Sequence, residues 1–254
     1  DYNLDLNLFD FYNFDNEYYF NKKFEEIFGK PRLKDEKITK RHFDIAASLQ
    51  KTVEEYVFSA IKYLKKETKL DNLCLTGGVF MNSVLNGKIY NSNIFKNVFI
   101  PFAPDDSGNS IGASIWIEKN KKQFAHLSPY LGRKFTDKQI EKTLVLNKIK
   151  FHKIKNISKD AANELTKNKI ICWFQGQSEF GQRALGNRSI LADPRNINMK
   201  DKINKYVKFR EEFRPFAGSV IESKANSLFI SGKTIISPYM EKVFICKTKF
   251  TNKI

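Results

Sequence analysis

Arg183, Arg188 and Arg195 fall within one short stretch that also carries Glu179, Asp193 and the glycines Gly176, Gly181 and Gly186. Guanidinium forks bind phosphate or carboxylate through paired N–H groups and keep their charge when buried. Glycine lets the backbone approach a ligand closely, or take positive φ, without a Cβ penalty. With the arginines outnumbering the acids, this pattern points to an anionic substrate. Downstream, Lys208-Phe-Arg-Glu-Glu-Phe-Arg-Pro-Phe-Ala217 again interleaves Lys and Arg with aromatic residues. Each charge-assisted hydrogen bond to a bound anion contributes about 1.5–3 kcal/mol. Several such groups would neutralise charge as it develops in a transition state. The competing reading is an internal ion-pair network of Glu179, Glu211 and Glu212 with the arginines.

Two other constellations carry chemistry. Thr76-Gly77-Gly78-Val79 lies between a strand-like and a helix-like segment, where N–H groups and the helix dipole receive phosphates. Asn82, one turn on, is placed to bond a ribose or phosphate. The same turn also occurs as a tight connection, and no Gly-Lys-Ser/Thr follows to make it a Walker loop. Asp105-Asp106-Ser107-Gly108 suits a metal ligand or an acid set against a nucleotide, and equally an Asx turn that caps the next helix. Only His42, His126 and His152 are available, with no helical i, i+3 or i, i+4 pair, so a metal site built wholly from this chain is poorly supported.

The elements that must position these residues follow from periodicity. Residues 1–19 read as irregular or hairpin-like, and 24–32 as a short helix stopped by Gly29 and Pro31. Arg41 to Thr68 is the strongest helix, with Phe43, Ala46, Ala47, Val53, Val57, Ala60, Ile61 and Leu64 on one apolar face. Residues 72–76 read as a buried strand, followed by a helix through Met81, Val84 and Leu85 to Ile89, a strand at 98–101 and a helix at 110–116. Strand, helix, strand, helix is an α/β unit with a parallel sheet. Residues 118–123 are the candidate linker. Helices at 138–146 and 159–166 precede a buried strand at 170–174 that opens into the arginine loop. A helix at 197–206 and a strand at 216–221 complete the reading.

The chain has 254 residues, 41% of them hydrophobic and 23 of them Phe, enough for a packed core in one large domain or two small ones. Its net charge of +16 raises nucleic acid or a membrane surface as a partner. The lysines are scattered, however, with no basic helix and no Arg/Lys-aromatic repeat, which argues against a nucleic-acid partner. Cys74, Cys172 and Cys246 form no C-x-x-C, and the first two sit in strand-like runs. They read as buried free thiols in a reducing cytoplasm. No run reaches the ~18 apolar residues of a membrane span. The chain opens without Met and reads as a fragment.

Four stretches together resemble the O-carbamoyltransferase family that acts on nodulation factors, antibiotics and surface glycans. They are Phe43-Asp-Ile-Ala-Ala-Ser-Leu-Gln50, Leu73-Cys-Leu-Thr-Gly-Gly-Val-Phe-Met-Asn82 with Asn86-Gly87, Asp106-Ser-Gly-Asn-Ser-Ile-Gly-Ala113, and residues 171–195 continuing to Val207–Ala217. The resemblance implies an α/β fold whose second domain is α+β. Residues 1–122 would be the C-terminal part of an actin-like carbamoyl-transfer domain, and 123–254 a truncated carbamoyl-adenylate-synthase-like domain. It implies that Thr76, Gly77, Gly78, Val79 and Asn82 contact nucleotide and that Asp106 binds a divalent metal, Fe or Mg. Arg183, Arg188, Arg195 and Lys208, with Glu179 beside them, would line the site for carbamoyl phosphate and ATP. The acceptor would be a hydroxyl of a sugar or other small molecule. The family's N-terminal metal-binding histidine pair and its C-terminal Asn-Thr-Ser-Phe-Asn stretch are absent. A basic RNA-binding module related to tRNA-modifying enzymes, and an inactive fragment of the family, are the readings from other classes.

Overall fold

The computed structural model describes residues 3–15, 18–33, 35–118 and 128–250. The expected linker at 118–123 lies almost wholly outside the described residues, as does the expected domain boundary after residue 122. Two compact units are present, Asp1–Leu64 and Lys65–Ile254.

The first unit begins as expected, with Phe9 bridged to Phe20 across a hairpin-like turn. Helix α1, Lys22–Phe28, is capped by the Asn21 side chain, which accepts from the N–H groups of Lys23 and Phe24, and it ends at Gly29. Phe24 packs within 4.5–5.7 Å, ring to ring, of Phe9, Phe20 and Phe28. Helix α2, Lys40–Thr68, has the predicted extent and buries Ile61 alone. Its predicted apolar face is therefore largely uncovered in this unit, with Phe43 57% exposed.

The second unit contains the rest of the structure. Strands β1, Asn72–Cys74, and β2, Asn97–Phe99, pair in parallel, as the strand-helix-strand order predicts. Leu73 and Leu75 point inward and are buried, and Cys74 points outward and is exposed. That alternation, which follows from the two-residue period of a strand, corrects the expectation of a fully buried strand and a buried thiol. Between the strands, helix α3, Ser83–Asn91, buries Leu85 and Ile89, and Phe95 after it is buried as well. Helices α4, Asn109–Ile117, α5, Asp137–Leu146, and α6, Ile157–Thr166, match the predicted segments within a residue or two.

Strand β3, Ile171–Phe174, pairs antiparallel with β4, Arg188–Leu191. Cys172 and Phe174 face solvent, so this strand too is covered on one face, and its thiol is free but exposed. Helix α7, Met199–Ile203, continues into a π-turn, Asn204–Lys208. The strand expected at 216–221 is not formed. Those residues are exposed, and no strand among the described residues supplies the ladder they would need. Helix α8, Glu222–Leu228, follows, and strands β5, Phe229–Ile230, and β6, Ile245–Cys246, pair antiparallel. Among the described residues no helix is long and apolar enough to cross a membrane.

The C-terminal segment is laid directly on α3. Asn86, with no exposed surface, donates from Nδ2 to the carbonyls of Phe80 and Glu241, at 2.7 and 2.8 Å. Tyr90 donates its hydroxyl to Thr234 O at 2.6 Å, and its ring lies under the ammonium groups of Lys233 and Lys242. Lys242 pairs with Glu241 at 2.7 Å, both side chains almost fully buried. The Glu241 carboxylate also accepts from Ser237 Oγ and Tyr239 N. A buried charge requires such full satisfaction. At Gly87 the two segments pass so close that an added Cβ would lie 2.1 Å from Val243 O.

This last contact yields a prediction. Gly87→Ala gains roughly 1 kcal/mol of helix propensity, but the overlap with a backbone oxygen costs about 1–3 kcal/mol and also disturbs the neighbouring Asn86 bonds. Urea unfolding should show a lower midpoint for Gly87→Ala, and an unchanged or higher midpoint would contradict the close contact.

Candidate functional site

The arginine loop is the connection between β3 and β4, residues 175–187. Its shape depends on Glu179, whose Oε1 accepts from the N–H groups of Leu185 at 2.7 Å, Asn187 at 2.8 Å and Arg188 at 3.2 Å. Burial pushes this carboxyl up, and the backbone donors, Asn187 first, more than offset it, leaving the pKa below its ordinary value. Glu179, expected beside a ligand, is thus committed to backbone amides, and no arginine side chain pairs with it among the described residues. Segment 129–134 braces the loop from outside. Phe180 N donates to Pro129 O, Gly132 N to Ser178 O, and the Tyr130 hydroxyl to Leu185 O.

The four basic groups differ in what occupies them. Arg188 opens β4 and turns its guanidinium back on the loop, donating to the carbonyls of Gln175, Asn187, Gly176 and Arg133. Its Cζ also sits 3.6 Å from the centroid of the Phe174 ring. Arg195 forks onto Asp193, with Nε 2.9 Å from Oδ1 and Nη2 2.5 Å from Oδ2. Arg183 is half-buried, and among the described residues its guanidinium makes one bond, from Nη2 to Met81 O at 3.2 Å. Lys208 is exposed, and its ammonium has no hydrogen bond or ion pair among the described residues. Of the expected network of Glu179, Glu211 and Glu212 with the arginines, the described residues show the pair of Arg214 with Glu211.

The loop tip meets the other two sequence motifs within the second unit. Gly181, at φ 97°, passes so close to the 102–103 backbone that an added Cβ would lie 3.0 Å from Phe102 O. Left-handed φ and contact together require glycine there. Next to it, Gln182 donates from Nε2 to Asp105 Oδ2, and Arg183 reaches Met81. The two turns are themselves tied, since Gly77 N and Thr76 Oγ1 both donate to Pro104 O. Gly78 and Val79 begin a 3-10 turn, Gly78–Met81, whose first N–H groups have no helical partners. Added Cβ atoms at Gly77 and Gly78 would meet nothing within 4 Å, so the backbone there is open to a ligand. Asn82, expected at a ribose or phosphate, caps α3 by accepting from Leu85 N.

Asp105 is held by Gln182 and by the Ser107 hydroxyl, whereas Asp106 is exposed and its carboxylate has no partner among the described residues. Among those residues no group of three His, Cys, Asp or Glu side chains comes together to hold a metal ion. The described residues thus place Asp106 alone where the resemblance puts one ligand of a divalent ion, and complete no such site around it. Of the three histidines, His126 lies outside the described residues, and His42 Nδ1 accepts from Thr39 N in the first unit. Sequence reasoning missed Gln182, a neutral amide whose type and spacing carry no signal, and Asn204, a buried polar residue following Met199 and Ile203 on the inward face of its helix.

Comparison with known proteins places these elements in a family. Residues 3–115 match the family model for the carbamoyltransferase N-terminus, and 162–254 that for the carbamoyltransferase C-terminus. The nodulation protein NolNO of Sinorhizobium fredii is 39% identical over 208 residues, covering 78% of this chain and 30% of that protein. NolO of Bradyrhizobium diazoefficiens is 37% identical over 206 residues, 78% of this chain and 37% of that protein. An uncharacterized Synechocystis protein is 40% identical over 233 residues, 87% of this chain and 38% of that protein. The chain thus spans between about three and four tenths of the length of these relatives.

The Asp193–Arg195 fork gives this region a pH signature. Hydrogen bonds from the Arg195 side chain, then its backbone N–H, lower the Asp193 pKa from 3.8 to about 2. A depressed carboxylate contributes stability that is present above the unfolded pKa and is lost as pH falls through the folded one. Asp193→Asn should therefore be less stable than wild type at pH 6, with the difference closing between pH 4 and pH 2. Denaturant titrations across that range check it, and a pH-independent difference would contradict it.

Proposed function

Because the chain belongs to the carbamoyltransferase family, we propose that it forms part of an ATP-dependent O-carbamoyltransferase working through carbamoyl-adenylate. In this reading residues 1–122 belong to an actin-like carbamoyl-transfer domain, and 123–254 to the domain that activates the carbamoyl group. Carbamoyl phosphate, water and ATP give carbamoyl-adenylate, phosphate and pyrophosphate. A hydroxyl of a sugar or other small-molecule acceptor then attacks the carbamoyl carbon and releases AMP.

The observation that carries the reading is the bond from Arg183 to Met81 O, which brings the arginine loop onto the turn that follows Gly77-Gly78. One carbonyl contact leaves most of the Arg183 donors for an anion. The open backbone at Gly77 and Gly78 supports close approach of phosphate. Arg188 and Arg195 shape the loop and its flank in this reading. Arg183, together with Lys208, supplies the charge that meets carbamoyl phosphate and the nucleotide. Asp106 takes the hydrogen bond of the incoming hydroxyl, a general-base position. Positioning and electrostatic stabilisation dominate, and no covalent intermediate on the protein is needed.

The reading is tested with the full-length protein, ATP, carbamoyl phosphate and a panel of hydroxyl acceptors. Pyrophosphate release that requires carbamoyl phosphate is expected, and its absence with every acceptor would overturn the proposal. Arg183→Ala should lower that release about 10²-fold or more while circular dichroism and thermal midpoint stay near wild type. Asp106→Asn should retain carbamoyl-adenylate formation and lose transfer. Equal loss of both partial reactions would remove Asp106 from the transfer step.

A further inference from the structure

Asn204 has no exposed surface, yet it is polar and stands where α7 widens into the π-turn. Its Nδ2 donates to the carbonyls of Arg214 at 2.9 Å and Glu212 at 3.3 Å, and its Oδ1 accepts from Arg210 Nε at 2.7 Å. Its own carbonyl receives the N–H groups of Phe209 and, at 3.1 Å, Arg210. A single side chain thus ties both ends of a loop, 209–215, that has no helix or strand of its own.

The loop is held in a costly shape. Phe209 takes φ 49° and ψ 51°, a left-handed conformation rare for an aromatic residue, and its ring is 84% exposed. Burial of the ring therefore cannot be what offsets the strain. Such strain persists only where the surroundings over-determine it, and π-turns concentrate at functional sites. What the turn delivers is Lys208, the last residue of the π-turn, exposed and without an ion pair among the described residues.

We propose that Asn204 is a positioning residue, its buried amide locking the π-turn and the following loop so that the Lys208 ammonium is presented to a phosphate-bearing ligand. The proposal rests on the reading of Lys208 as part of the carbamoyl phosphate and ATP site. Asn204 would act through geometry and touch no substrate itself.

The test compares wild type, Asn204→Asp, Lys208→Ala and the double variant in the full-length protein. Asn204→Asp keeps the size and the acceptor for Arg210 and loses both donors to the loop carbonyls. Calorimetric titration with inorganic pyrophosphate reads the site without turnover. Steady-state pyrophosphate release separates KM for carbamoyl phosphate from kcat. Asn204→Asp should weaken pyrophosphate binding and raise that KM about tenfold or more, in the same direction as Lys208→Ala. The double variant should bind no worse than the weaker single one, because both changes remove one interaction. Should Asn204→Asp fail to fold, Arg210→Lys, which loses the Nε donor and keeps the charge, carries the same expectation. Binding and KM within twofold of wild type, or additive losses in the double variant, would overturn the proposal and leave Asn204 a stability residue. If wild type binds pyrophosphate but releases none from ATP and carbamoyl phosphate, the functional reading fails, and calorimetry alone decides the positioning role. If neither wild type nor Lys208→Ala binds it, the proposal falls.

Discussion

One carboxylate oxygen organises the region on which the rest of this site depends. By accepting three backbone N–H groups, Glu179 forces the chain after β3 to fold back and start β4 at Arg188. An anion satisfied in this way needs no arginine partner. The guanidinium of Arg188 is then left to gather the carbonyl oxygens that the same reversal exposes. The loop is neutralised from within, and its tip, from Gly181 to Arg183, projects as a fixed edge.

That edge explains how motifs distant in the chain come to one place. Gln182 meets Asp105 and Arg183 meets Met81, while Thr76 and Gly77 hold Pro104. Each contact ends on a backbone carbonyl or an acidic turn, groups that no helix or strand satisfies at those positions. The phosphate-type turn and the acidic turn are thus clamped by the loop, and the open face beside Gly77 and Gly78 is what remains for a ligand.

Much of this was legible in the sequence. Helices α2, α4, α5 and α6 follow their apolar periodicity, and the parallel pairing of β1 with β2 follows from strand-helix-strand order. The compact motifs around Thr76, Asp105 and Arg183 were found as separate signals, because glycine, acid and arginine leave a trace in composition. Their meeting left no such trace, since it depends on tertiary bonds from Gln182 and Arg183 to groups some eighty to a hundred residues away. Burial was the weaker inference. An apolar run does not distinguish a strand covered on both faces from one covered on one, and Cys74, Cys172 and Phe174 lie on the open faces. The apolar run at 216–221 shows the same limit, because a strand requires a partner as well as a composition. Asn204 illustrates the opposite case, a polar residue whose burial only the packed loop makes sensible.

The close seat of Gly87 against Val243 bears on how the chain acquires its structure. The hydrogen bond from Asn86 to Glu241 spans 155 residues of sequence, so the covering of α3 is among the most non-local events in the molecule. At roughly 5–20 residues per second, a ribosome takes about 8–30 s to make the intervening chain. During that interval α3 lacks its cover, and Asn86 and Tyr90 lack their acceptors on the later segment. High sequence separation also slows the closing step itself. The covering of α3 therefore waits on residues 234–243, which supply both of those acceptors.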